Sequence, residues 1–418
     1  MALLFLCLIF GTGRTQKIEA AVQNVPESLE EESRLDTVGT DQETERAAVR
    51  EKKGQQEKEA GDTETDQAAA AQDELLAELD FDAIQQEVDS LLSSQQFSFA
   101  GTVRSLLQDG DPFRTFRAGN AVLSCAKTAF LAQKGLMKEL FLLVLAGAVL
   151  GSFSSLFEGK QVRDASFYMV YLLALALILK NFQSSGENLK AVITSLIAFM
   201  RILTPSYYLA AAAAGGASSA VMFYQMLLLV ILAVEKLLLA LVLPMIHIYL
   251  LIALVNDLSG EEILSHMTEL LETCVNGLLK SSLGVLVGMQ MIRNLIAPAL
   301  DSLRQMALWR TAGMIPGIGN AVNAVTELVA GSAVLIRNCF GVTAMLVLLA
   351  AGMVPAVQLL VSGLSFRLLA AAAQPVSDKR IAGCLAAAGK GYAMLLRLLL
   401  TVEILFLLTI AILAGTFS

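Results

Sequence analysis

The sequence predicts an all-α protein: a polytopic transmembrane helical bundle of six to eight spans, preceded by a disordered acidic N-terminal segment. Three observations carry this. Hydrophobic residues make up 56% of the 418-residue chain and charged residues only 16%, against about 45–50% and about 25% in ordinary soluble proteins. The mean hydropathy is +0.64. The apolar residues come as long Leu, Ala, Val and Ile runs rather than in the roughly ten-residue alternating segments of a membrane barrel.

The first element, residues 1–21, resembles a signal peptide. Ala2–Phe10 is an apolar run followed by Gly11, Thr12 and Gly13, the length of a signal h-region and too short to span a bilayer. Cleavage near Ala20–Ala21 and an uncleaved anchor are both open. Residues 22–74 follow as an acidic linker with few large apolar side chains. Such a composition cannot bury enough surface to offset the entropy of ordering, so disorder is expected. The formal charge of −8 is concentrated here, since residues 22–80 hold 18 Asp/Glu and 6 Lys/Arg. The remainder is slightly basic, which favours contact with anionic membrane lipid.

Residues 75–138 are expected to form amphipathic or interfacial helices. Leu75, Leu76, Leu79, Ile84, Val88, Leu91 and Leu92 recur at helical spacing, and a second short helix is expected over Phe99–Leu107. Arg114, Arg117, Lys127, Lys134 and Lys138 then lie among apolar residues, a pattern suited to an anionic membrane surface.

The transmembrane domain is placed at 139–418. A span needs about 20 largely apolar residues, and the candidates are Leu140–Phe157, Ala165–Leu179, Leu189–Ala214, Val221–Val234, Leu237–Val255, Ser282–Leu300, Phe340–Leu364 and Tyr392–Ala414. Glu235 and Lys236 divide the apolar stretch Val221–Val255 and read as a polar tip between two antiparallel helices. Ser259–Leu279 and the Gly/Pro-punctuated Gly313–Gly319 read as interfacial or re-entrant.

Within this domain the segment after Ile315-Pro-Gly-Ile-Gly is the most informative. At 100° per residue Asn320, Asn323, Glu327, Gly331 and Asn338 share a narrow arc, opposite Val322, Val325, Val329 and Ile336. Hydrocarbon offers no partner to an amide or carboxylate, so such a stripe either lines an aqueous path or bonds a neighbouring helix. In the packing version Gly331 permits close helix approach. Glu403 lies in the last span, where an ionised carboxylate costs about 2.5–3.5 kcal/mol. It should face the bundle interior, with Arg397 about 120° away around the axis and not its partner.

Enzyme chemistry has no foothold in the sequence. The five cysteines are scattered without a C-x-x-C pair and only His247 and His266 are present, which leaves no zinc or redox spacing. There is no G-x-S-x-G, H-E-x-x-H or Walker A loop; Gly383 to Gly389-Lys390-Gly391 has one residue too many and lacks the Ser/Thr for magnesium. No catalytic residue, metal or cofactor is assigned. No basic, aromatic-interleaved patch points to nucleic acid.

The run Ile315-Pro-Gly-Ile-Gly, Gly331-Ser-Ala-Val-Leu-Ile-Arg-Asn338, Gly341, Pro355-Ala356, Gln374-Pro375 and the apolar tail Leu398–Gly415 resembles the stage III sporulation protein AE family of endospore-forming bacteria. The likeness is best over residues 280–418. It implies a multi-pass component of the secretion-like channel complex joining mother cell and forespore, placed in the mother-cell membrane around the forespore. The implied partners are the other stage III A-operon proteins, including a separate ATPase, and the stage II sporulation protein Q complex. The alternative is a self-contained secondary transporter or permease for a small solute, with its site at broken helices.

Overall fold

The computed structural model describes residues 80–92, 97–109, 118–154, 160–213, 218–259, 264–312, 319–375 and 377–415. Every described element is a helix, and no strand occurs among these residues. The signal-like segment and the acidic linker lie outside the described residues.

Among the described residues two short helices come first. In α1, Phe81–Leu91, Asp80 caps the N-terminus by accepting from the Ala83 amide at 3.1 Å, satisfying one of the donors that a helix start leaves open. In α2, Phe99–Asp109, the start is tied to α1 by Gln85. Its Nε2 donates to the Phe97 carbonyl at 2.7 Å and its Oε1 accepts from the Phe99 amide at 2.8 Å. Ile84, Val88, Phe99 and Val103 are buried, so the apolar periodicity of this region builds core. The floor beneath the pair is aromatic: Phe99 meets Phe340 edge-on with centroids 5.0 Å apart, and Phe81 and Tyr207 approach the same ring at 6.2 Å.

The bundle proper is made of α3 (Ala118–Ser154), α4 (Lys160–Ala213), α5 (Ser218–Leu237), a π-helical segment (Leu238–Val242), α6 (Leu243–Ser259), α7 (Ser265–Ala312), α8 (Gly319–Ala373) and α9 (Lys379–Gly415). The eight candidate spans therefore occupy six continuous helical stretches. Ala165–Leu179 and most of Leu189–Ala214 fall within the one continuous helix α4, since the intervening residues contain no proline and the single Gly186 weakens a helix without ending it. Among the described residues five stretches are long and apolar enough to cross a membrane: Tyr168–Tyr207, Leu229–Ser259, Ser265–Ile292, Gly331–Ala373 and Lys379–Ile412. At 1.5 Å per residue the longest, of 43 residues, runs about 65 Å, well beyond a bilayer core of about 30 Å. Ser259–Leu279, read as interfacial, is largely the start of α7.

The polar tip expected at Glu235-Lys236 is not a turn. The chain continues from α5 through the π segment into α6 with helical dihedrals on both sides, and the Leu243 amide bonds the Leu238 carbonyl five residues back. The cause is local. Leu237 to Val242 contains no turn former, and Pro244, which cannot continue the α-helical ladder, is accommodated by one inserted residue rather than by a reversal.

The α8–α9 hairpin is the centre of the bundle. Ser377 N bonds the Ala373 carbonyl at 2.8 Å, and Asp378 caps α9 by accepting from Arg380 N at 3.1 Å. Gly363 and Gly389 let the two backbones close up: a Cβ on Gly389 would stand 3.3 Å from the Gly363 carbonyl oxygen. Small residues at such crossings let packing replace the missing hydrophobic drive between helices in lipid. Helices α2, α3 and α4 pack on α8, while α4, α6 and α7 pack on α9.

Candidate functional site

The polar stripe on α8 turns away from the bundle where its side chains are described. Ser332, Ala333, Ile336, Arg337 and Phe340 are buried, whereas Gly331 and Asn338, on the opposite arc, are exposed. The close helix approach expected at Gly331 is not made within this chain: a Cβ there would meet nothing within 4 Å. Where side chains are described, packing is carried instead by the arc of Ser332, Ala333, Ile336, Arg337 and Phe340. Asn320, Asn323 and Glu327 lie in α8, but their side chains are outside the described residues.

Glu403 occupies a different position. It is buried on α9 with its carboxyl seated in a notch on α8 that exists because residue 352 is glycine; a Cβ on Gly352 would coincide with Glu403 Oε1. Three residues further on, α8 contains Pro355. Having no N–H, Pro355 leaves the carbonyl four residues back, that of Ala351, without its α-helical donor. Arg397 is turned elsewhere, donating to Asn276 Oδ1 at 3.0 Å.

Glu235, read from the sequence as a loop residue, is fully buried at the end of α5. Gly383 of α9 faces Asp257 and Gly391 faces Leu250 of α6, so eight steps forward on α9 match seven back on α6. Helices α5 and α9 touch. On α7 the buried Ser282 donates its hydroxyl to the Leu279 carbonyl at 2.7 Å. Arg337, buried on α8, is fifteen residues from Gly352 and so about 22 Å away along the helix.

A second polar junction lies about 16 Å along α9 from Glu403. Tyr392 Oη accepts from Asn181 Nδ2 at 2.7 Å and lies 3.3 Å from Ser185 Oγ. Its ring stacks on Phe366 and meets Phe182 edge-on. His247 packs against Phe182 and over Gly186, where a Cβ would come within 2.5 Å of its Nε2, and its Nδ1 is 2.9 Å from the Leu243 carbonyl. This junction joins α4, α6, α8 and α9. Its polar atoms are bonded to one another, which suits locking helices in place.

No group of three or more metal-ligating side chains occurs among the described residues. Comparison with known proteins adds identity to geometry. The family model described as Stage III sporulation protein AE matches residues 97–416. Stage III sporulation protein AE of Bacillus subtilis (strain 168) is 22% identical over 291 residues, covering 69% of this chain and 73% of that protein. No solved structure matches the chain.

Proposed function

The chain belongs to the stage III sporulation protein AE family, and from that premise we infer that it is an integral-membrane subunit of the secretion-like channel complex linking mother cell and forespore. The family match carries the inference, since it spans α2 to α9 and so takes in the whole bundle. The protein is then a sporulation membrane protein of structural rather than catalytic kind. Its place is the mother-cell membrane around the forespore, its partners the other stage III A-operon proteins with their separate ATPase, and the stage II sporulation protein Q complex.

The outward face of α8 supports a partner-dependent role. Gly331 and Asn338 are exposed on one helix surface, and a glycine that meets nothing in its own chain leaves room for another subunit's helix to approach closely. Gly331→Leu tests this. Because the position is open, the variant should keep the melting temperature of the isolated chain within a degree or two while losing co-purification with the stage III A partners and blocking spore formation. The self-contained transporter reading draws on the π segment that follows Glu235 and on Pro355 within α8 beside the Glu403 seat. Unchanged sporulation in Gly331→Leu, together with saturable solute uptake by the purified protein alone in liposomes, would favour it.

A further inference from the structure

The longest helices of the bundle exceed the membrane they cross. Tyr168–Tyr207 of α4 has 40 residues, about 60 Å of helix against a bilayer core of about 30 Å. Fitting all of it into hydrocarbon would need a tilt of about 60°, beyond the roughly 0–40° that membrane helices adopt. The helix therefore leaves the lipid core along its length, and its outward face has one polar stretch where it can do so. Lys180, Gln183, Glu187, Asn188 and Lys190 are all exposed there.

Direct contacts bring basic side chains of two further helices to the same level. Asn181 and Ser185 meet Tyr392 Oη, and Phe182 packs on Gly391, which sets the exposed Lys390 of α9 level with this part of α4. Arg367 of α8 lays its Cγ against Gly389, the residue before Lys390, and is exposed as well. Four cations on three helices thus form a waist around the Tyr392 junction. Glu187 is the one carboxylate within these stretches of α4, α8 and α9, and it accepts from Gln183 at 3.2 Å. Asp257 of α6 is half-buried against Gly383, two turns away along α9. On either side of the waist the surface exposes large apolar side chains: Met169, Leu172 and Leu173 of α4 towards one end, Leu335 and Leu360 of α8 and Ile404 of α9 towards the other.

We propose that this waist is a docking surface for anionic phospholipid, with the headgroup layer of one leaflet held against Lys180, Lys190, Arg367 and Lys390. Charge complementarity selects the occupant. Long basic side chains facing lipid tails are disfavoured, whereas at headgroup depth their apolar stems lie along the helix and their charged ends meet phosphate. The waist then sets the depth of the bundle, and the long helices continue out of the hydrocarbon on one side of it. The surface requires only that the chain sits in a membrane, so it stands or falls apart from the channel-complex role.

Fluorescence quenching at the waist reads the occupant directly. The full chain, lacking its native cysteines and carrying a bimane on Ser184→Cys, is placed in nanodiscs containing phosphatidylglycerol or phosphatidylcholine spin-labelled at the headgroup. The labelled phosphatidylglycerol should reach half-quenching at about fivefold lower mole fraction than the labelled phosphatidylcholine, the factor that one basic side chain near an anionic surface contributes. Replacing Lys180, Lys190, Arg367 and Lys390 together by Gln should bring the two lipids to equal quenching, as should about 1 M salt, which shortens the Debye length to about 3 Å. Should the fourfold variant not fold, Lys180→Gln with Lys190→Gln should still reduce the preference, and Lys180→Arg with Lys190→Arg should keep it. Equal quenching by both lipids in the unsubstituted waist overturns the proposal. So does quenching only by a lipid labelled at the end of its acyl chain, which would put the waist in hydrocarbon, or quenching by no lipid, which would mean that the waist lies away from the membrane surface.

Discussion

At the scale of single residues, this bundle separates polar groups that have partners from those that do not. Tyr392, Asn181 and Ser185 satisfy one another, whereas both carboxyl oxygens of Glu235 and Oε1 of Glu403 are buried without a protein donor. The first set behaves as fastening. Tyr392→Phe removes the acceptor of the Asn181 amide while keeping the ring against Phe366 and Phe182. It should lower stability by about 1 kcal/mol, the usual cost of an orphaned, partly buried donor, and leave sporulation intact. Reversible unfolding of the purified variant in detergent measures it. A loss of spore formation at unchanged stability would make the junction part of the mechanism instead. Glu403 was legible as an intramembrane carboxylate because one acidic residue interrupts an otherwise apolar tail. Its seat was not, since Gly352 and Pro355 lie fifty residues away in sequence and only helix packing aligns them.

At the scale of elements, the apolar runs were readable and their ends were not. Hydrophobicity locates membrane helices because lipid tolerates little else. It does not say where one helix stops, which is why Glu235-Lys236 reads as a tip although the chain passes straight through it. The missed signal was positive as well as negative: Pro244 sits nine residues beyond Glu235 with no glycine, asparagine or serine between them to make a reversal. The π segment has a consequence. One residue added to a helix turns everything beyond it by about 100°, so the bulge sets which way Glu235 faces relative to α6. Deleting Leu239 should remove the bulge and rotate Glu235 off its buried face. In a background lacking the native cysteines, Glu235→Cys should resist a small membrane-impermeant thiol reagent with the bulge present and react once it is deleted. Equal reactivity in both would show that the bulge does not hold the register.

At the scale of the whole molecule, composition places the expected start of the folded unit after the acidic segment. The linker 22–74 lacks apolar surface to bury, and the family match begins only at residue 97. The α1–α2 pair, by contrast, supplies Ile84, Val88, Phe99 and Val103 to the same hydrophobic core as the bundle, and Phe81 and Phe99 cover Phe340. A buried phenylalanine contributes about 1.5–3 kcal/mol relative to exposure, so two aromatic and several aliphatic side chains make this pair a substantial part of the fold. Two deletions that both leave residues 1–21 in place should therefore behave differently. Removing 22–74 should leave the protein in the membrane fraction with its melting temperature unchanged. Removing 22–109 strips the cover from Phe340 and Tyr207 and should lower the melting temperature by many degrees and increase proteolysis in cells, although every long apolar helix is still present to insert. If the short deletion destabilises the protein as much as the long one, the acidic segment contributes to the folded unit; if neither does, the α1–α2 pair is an appendage and the aromatic floor is not a stabilising contact.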